Sequence, residues 1–174
     1  MCGNAFSTSC FTYWREFCWK NLVRFFATPK IKTYSVTTVH TCWRKCGNDE
    51  ANHYHIFWSC PGLWPFWNDI VKIIQQILGQ HIPLPFTTLF LSDLPDGMAK
   101  NDKYLLRIMS AAAKKAITRK WLQSDPPTTS NWLEVIKEIH QMERLTFLLR
   151  LKRDLYYARW EKWMAFLTNE EGHS

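Results

Sequence analysis

Cys42-Trp43-Arg44-Lys45-Cys46-Gly47-Asn48-Asp49-Glu50-Ala51-Asn52-His53-Tyr54-His55-Ile56-Phe57-Trp58-Ser59-Cys60 places four metal-ligand side chains, Cys42, Cys46, His55 and Cys60, within nineteen residues. The pattern is Cys-x3-Cys-x8-His-x4-Cys, of the CCHC type. Zinc prefers four tetrahedral nitrogen and sulfur ligands, and a short first gap lets two thiolates reach one ion from a tight turn. Gly47 suits that turn because it takes positive φ at little cost. With all four positions filled by protein, such a site is structural and leaves no open position for catalysis. His53 is an alternative to His55. The His-x4-Cys gap is read as placing His55 and Cys60 on one face of a helix, which favours His55. Two other readings of the cysteines stay open: a disulfide, and unmetallated thiols buried in an aromatic cluster.

The flanks of this segment extend the pattern. Cys42-Trp43-Arg44-Lys45-Cys46-Gly47, His55-Ile56-Phe57-Trp58-Ser59-Cys60-Pro61 and Phe66-Trp67 resemble the cysteine–histidine segment of LINE-type (non-LTR) retrotransposon polyproteins. That segment follows the reverse transcriptase domain. Upstream, Trp14-Arg15-Glu16-Phe17-Cys18-Trp19-Lys20 and Phe26-Ala27-Thr28-Pro29 are similar to the stretch between polymerase and knuckle. Downstream, Asn131-Trp132, Met142-Glu143-Arg144-Leu145-Thr146 and Trp160-Glu161-Lys162-Trp163 resemble the closing helices. The resemblance covers roughly residues 11–167. It implies a polyprotein tail that helps a polymerase engage RNA and target DNA. The paired aspartates of the family's polymerase palm do not occur in this sequence.

Composition fits a binder of polyanions. The 174 residues carry a formal net charge of +7, with 47% hydrophobic and 16% aromatic residues, ten of them tryptophan. A basic, aromatic-rich chain favours RNA or DNA, through phosphate contacts and base stacking. Six cysteines are too few for a disulfide-dense secreted scaffold. Met1 to Ser9 shows no secretory leader, and no stretch reaches the roughly eighteen apolar residues of a membrane span. The expectation is a reducing compartment, nucleus or cytoplasm, with no membrane partner and no small-molecule substrate. GxSxG, HExxH, a phosphate-cradling glycine loop and a carboxylate cluster are all absent. Five histidines, His40, His53, His81, His140 and His173, are scattered. A non-catalytic module is therefore expected.

Periodicity predicts a mainly α fold: a small zinc-knuckle-like motif packed on amphipathic helices, followed by a long C-terminal helical hairpin or arm. Residues 11–27 read as a first helix ended by Thr28-Pro29. Residues 30–41 are β-branched and read as an extended lead-in, with one strand beside the metal site. Pro61 to Gln80 is the strongest helix, with Pro61 in its first turn and Gly79 at its end. His81 to Asp96, with Pro83, Pro85 and Pro95, reads as an extended connector. Asn101 or Asp102 caps a helix running to about Gln123. Ser130 caps a final helical region over 131–167 that bends near Thr146 or Leu151. Residues 10–97 are read as the knuckle-containing domain and 98–168 as a C-terminal helical region, with 1–9 and 169–174 as disordered ends. The nucleic-acid contacts expected are Arg44 and Lys45 on phosphate, Trp43 in stacking, and a basic helix face of Lys114, Lys115, Arg119 and Lys120. One Zn2+ is the expected cofactor. RNA or single-stranded DNA is the expected partner, with a polymerase domain of the parent element as a second; a helical protein-interaction module, or a relic of a degenerate element, is the alternative.

Overall fold

The computed structural model describes residues 12–29, 41–81, 83 and 85–171. Six α-helices run in the order α1 (Thr12–Leu22), α2 (Trp64–Leu78), α3 (Phe86–Leu91), α4 (Lys100–Arg119), α5 (Thr129–Leu149) and α6 (Arg153–Glu171). A π-helical turn (His55–Ser59) and a 3-10 turn (Pro61–Leu63) lead into α2. No β-strand occurs among the described residues. The mainly α architecture expected from periodicity is what forms. The strand expected within 30–41 falls almost wholly outside the described residues.

Helix α4 is the axis of the packing. It contacts α2, α3, α5 and α6. Thirteen of its residues are buried, among them Leu105, Leu106, Ile108, Met109 and Ala111-Ala112-Ala113. A helix apolar around most of its circumference belongs inside a bundle, and the alanine run lets its neighbours approach closely. The apolar core continues from Trp14 on α1 through Phe57 and Ile74 to Trp163 on α6.

Buried tryptophans attach the helices to one another through their single N–H. The Trp132 indole on α5 donates to Met109 O of α4 at 2.9 Å, and Trp160 on α6 donates to Glu143 of α5 at 3.0 Å. Glu143 is wholly buried and also accepts the Tyr104 hydroxyl of α4 at 2.5 and 2.6 Å. A buried carboxylate is tolerated only when hydrogen bonds replace its water. This one joins α4, α5 and α6.

Several expectations are corrected. Helix α1 ends at Leu22, because Arg24 takes a left-handed φ of 54° and Phe25 N–H closes onto Lys20 O. The reversal swings Phe26 against Phe17, Phe57 and Trp121. The connector 81–96 contains α3, whose Leu89 and Phe90 are buried. Helix α4 starts from Ala99 without a side-chain cap, since Asp102 is buried and accepts Lys162 Nζ at 2.8 Å. The same ammonium caps the last turn of α2 through Leu78 O. Helix α5 is capped by Thr128, not Ser130: Thr128 Oγ1 accepts from Asn131 N–H and Asn131 Oδ1 from Thr128 N–H, a reciprocal capping box. By contrast, the bend expected within 131–167 does occur, at Leu151 with φ of 53°, and gives the antiparallel hairpin α5–α6.

His140 sits in this hairpin, with its Nε2 2.5 Å from the Tyr156 hydroxyl and its ring against Trp160. Burial, reinforced by Arg144, lowers its pKa from 6.5 to about 4. The folded state thus binds fewer protons than the unfolded chain between these values. The stability contribution is present above pH 6.5 and lost as pH falls toward 4. Discounted for partial solvent access, the loss is on the order of 2 kcal/mol. Urea unfolding of His140→Gln should show a flatter decline from pH 6.5 to 4 than wild type.

Candidate metal centre

Two short segments build the cluster. In the first, Lys45 N–H donates to Cys42 O at 2.9 Å and Cys42 N–H to Asn48 O at 3.0 Å. Lys45 and Gly47 have φ of 54° and 82°, so the chain reverses twice and both thiols point inward. Gly47 takes the conformation its position called for.

The second segment explains the His-x4-Cys gap. Residues five apart on an α-helix are separated by about 140° in azimuth, so a regular helix would not bring His55 and Cys60 together. The chain widens instead. Cys60 N–H donates to His55 O at 3.0 Å, an i to i+5 closure that defines a π turn. The choice of His55 is kept, but the one-face-of-a-helix argument for it is not. Asn52 caps the turn, its Oδ1 accepting from His55 N–H at 2.9 Å.

Pro61 leaves this turn short of donors, because it has no N–H for the carbonyls of Ile56 and Phe57. Arg44 Nη1 donates to Ile56 O at 2.9 Å and Trp67 Nε1 to Phe57 O at 3.1 Å. Arg44 thereby ties the first ligand segment to the second, and Trp67 ties the second to α2.

The ligand atoms of Cys42, Cys46, His55 and Cys60 all lie within 4.8 Å of one another. Cys42 Sγ and Cys60 Sγ are 3.7 Å apart, and Cys46 Sγ is 3.3 Å from His55 Nε2. All four cysteines among the described residues are free thiols, so no disulfide forms between Cys42 and Cys60. Cys42 and Cys60 are buried at 3% and 0% exposure. Burial pushes the Cys42 thiol up to about 12, with the neighbouring Cys60 adding to the shift. Burial and Arg44 lower the His55 pKa, which favours the neutral imidazole with a free lone pair. The buried Cys42 thiol thus resists ionisation unless a cation compensates it. These residues could hold one metal ion, with every donor supplied by the chain.

His53 lies outside the cluster. It is buried, with its ring 4.6 Å from Phe57 and 5.6 Å from Phe90. Burial and Arg24 lower its pKa to about 4. It is a core histidine.

The expected nucleic-acid contacts divide. Trp43 is half-buried, 4.7 Å from Trp121, and this pairing brings the knuckle tip to the end of α4. Lys45 is exposed and Lys120 half-exposed there. Arg44 is turned inward, as described. Lys114 is a correction: at 3% exposure its ammonium donates to Phe90 O at 2.9 Å and lies over the Phe90 ring. Burial lowers its pKa. Lys115 donates to the Tyr13 hydroxyl at 2.7 Å, and Arg119 pairs with Glu138 at 2.7 Å. The basic side read along α4 is thus split between core and surface.

His55→Gln and Cys46→Ser should each abolish stoichiometric metal uptake in native mass spectrometry, whereas His53→Leu should retain it. Loss of metal in His53→Leu alone would overturn the ligand assignment.

No protein-family model matches the chain.

Proposed function

We propose that the chain is a non-catalytic, zinc-stabilised module that binds RNA or single-stranded DNA, of the kind its resemblance to the LINE-type polyprotein tail implies. The observation that carries this reading is the Trp43–Trp121 contact. It joins the metal loop to the end of α4, so the segments bearing exposed Lys45 and half-exposed Lys120, distant in sequence, meet at one edge. Trp121 Nε1 donates to Ala27 O, which adds the segment bearing exposed Arg24 to the same edge. Two carboxylates, Asp102 and Glu143, are buried, so the excess positive charge lies toward the surface.

Zinc is the metal this donor set favours. Three thiolates and one imidazole suit it, and bonds of about 2.3 Å to sulfur imply tetrahedral sulfur–sulfur edges of about 3.8 Å. The 3.7 Å between Cys42 and Cys60 is close to that edge. Bound zinc would offset most of the thiolate charge and fix the loop that presents Lys45. The ligand chemistry suits a reducing compartment, nucleus or cytoplasm. Among the described residues no helix is long and apolar enough to cross a membrane.

A second reading has its own observation. At the α5–α6 tip Leu145, Leu149 and Leu151 are 64%, 84% and 92% exposed, beside the exposed cations Arg150, Lys152 and Arg153. Such a surface suits an apolar, acidic partner protein, such as the polymerase domain that the resemblance implies.

Affinity for single-stranded RNA should fall steeply with salt. Lys45→Ala with Lys120→Ala should lower the slope of log K against log salt by about 1.4, the value for two lost phosphate contacts. Removal of zinc by a chelator should abolish the binding. An unchanged slope in the double variant would remove this edge from the interface.

A further inference from the structure

The ring best placed in the sequence for stacking, Trp43, is committed to Trp121. A different aromatic surface stands free. On the outer side of the π turn, Tyr54, Trp58 and Ser59 face Trp64, Trp67 and Asn68 of α2 across a groove of about 480 Å³. That volume lies within the range of roughly 300–1,000 Å³ for small-ligand sites. Trp64, Trp67 and Asn68 are three and four residues apart and so share one side of α2. Trp67 is fixed by its bond to Phe57 O and packs 4.8 Å from Trp58. Trp64 is 67% exposed and Tyr54 48%.

We propose that this groove receives a single unstacked nucleobase of a single-stranded nucleic acid, held between the Trp64 and Tyr54 rings with its edge toward Asn68 and Ser59. The proposal rests on the nucleic-acid reading and locates the stacking element within it. Trp64 makes no ring contact among the described residues, so a base would supply the neighbour that the fold does not. The side chains of Asn68 and Ser59 likewise make no hydrogen bond among the described residues. An amide offers one donor and one acceptor together, the pair that reads adenine. Among the described residues no carboxylate lines the groove. Lys72, one turn beyond Asn68 and 77% exposed, stands on the same side of α2 to meet the backbone phosphate, its contact with Asp69 a loose 3.7 Å. The groove's near wall is the turn that carries His55. Ordering of that turn by the metal therefore also sets the groove.

The test is titration of the zinc-loaded full chain, followed by tryptophan fluorescence, with a short oligoadenylate RNA and with an abasic oligomer of equal length. Wild type should bind oligoadenylate more tightly than the abasic strand. Trp64→Ala with Tyr54→Ala should lower oligoadenylate affinity about tenfold, leave the salt slope unchanged and leave abasic affinity unchanged. Asn68→Ala keeps both rings and the charge of the groove and should weaken oligoadenylate alone, which guards against a folding defect in the aromatic variant. If wild type binds both strands equally and the variants match it, the groove proposal fails while the nucleic-acid reading stands. If wild type binds neither strand, both fail. Saturation of the groove by a polyproline peptide with no effect of oligoadenylate would also overturn the proposal.

Discussion

Three thiols and an imidazole are held within one apolar pocket, and most of the N-terminal half is arranged to tolerate that crowding. Two of the sulfurs are withdrawn from water, and at Cys42 burial opposes the charge the thiol needs as a ligand. A cation at the centre would reverse that balance, because metal binding favours the deprotonated thiol outright. The segments that supply the ligands have little regular structure of their own. Their order depends on the cluster and on two side-chain ties, from Arg44 and Trp67, to carbonyls that Pro61 leaves without partners.

Tryptophan is the recurrent solution to a packing problem in this chain. Trp67, Trp121, Trp132 and Trp160 each bury a large apolar body and spend the indole N–H on an oxygen from another segment. A side chain of this kind supplies area and direction at once. The tryptophans thus divide by exposure. Rings whose N–H is committed serve the core, and Trp64, exposed at the groove, is left available for a partner.

Helices with a long apolar period were legible in the sequence: α2 and α4 follow their stripes, and so does α5 as far as Ile139, beyond which the periodic residues Met142, Leu145 and Leu149 are exposed and α6 buries Tyr156, Trp160 and Trp163 instead. Helix α3 was hidden, since six residues rich in threonine and phenylalanine carry no period, and it is burial of Leu89 and Phe90 that selects it. Caps misled where tertiary demand took the side chain: Asp102 serves Lys162 instead of its own helix. Lys114 looked solvated because charge alone does not reveal which side of a helix faces inward; Phe90 supplies both a carbonyl and a ring to receive it. The ligand set was legible from residue types and spacing. The π turn behind it was not, because the expectation assumed regular helical geometry for a pair five residues apart. Pro61 was the available signal, since it removes the donor that a regular helix would have used.

The π turn also bears on how this chain tolerates insertion and deletion. A π turn is an α turn carrying one additional residue. Loss of one residue between His55 and Cys60 would leave the two ligands four apart, still neighbours on an ordinary helix. The metal ligands are thus buffered against a single-residue length change. The rings are not. Deleting Ile56 or Phe57 would rotate the side chains after the gap by about 100° relative to His55 and disturb positions that are now fully buried. A one-residue change of length here would therefore be felt in the core around Ile56 and Phe57 before it was felt in the spacing of the four cluster residues.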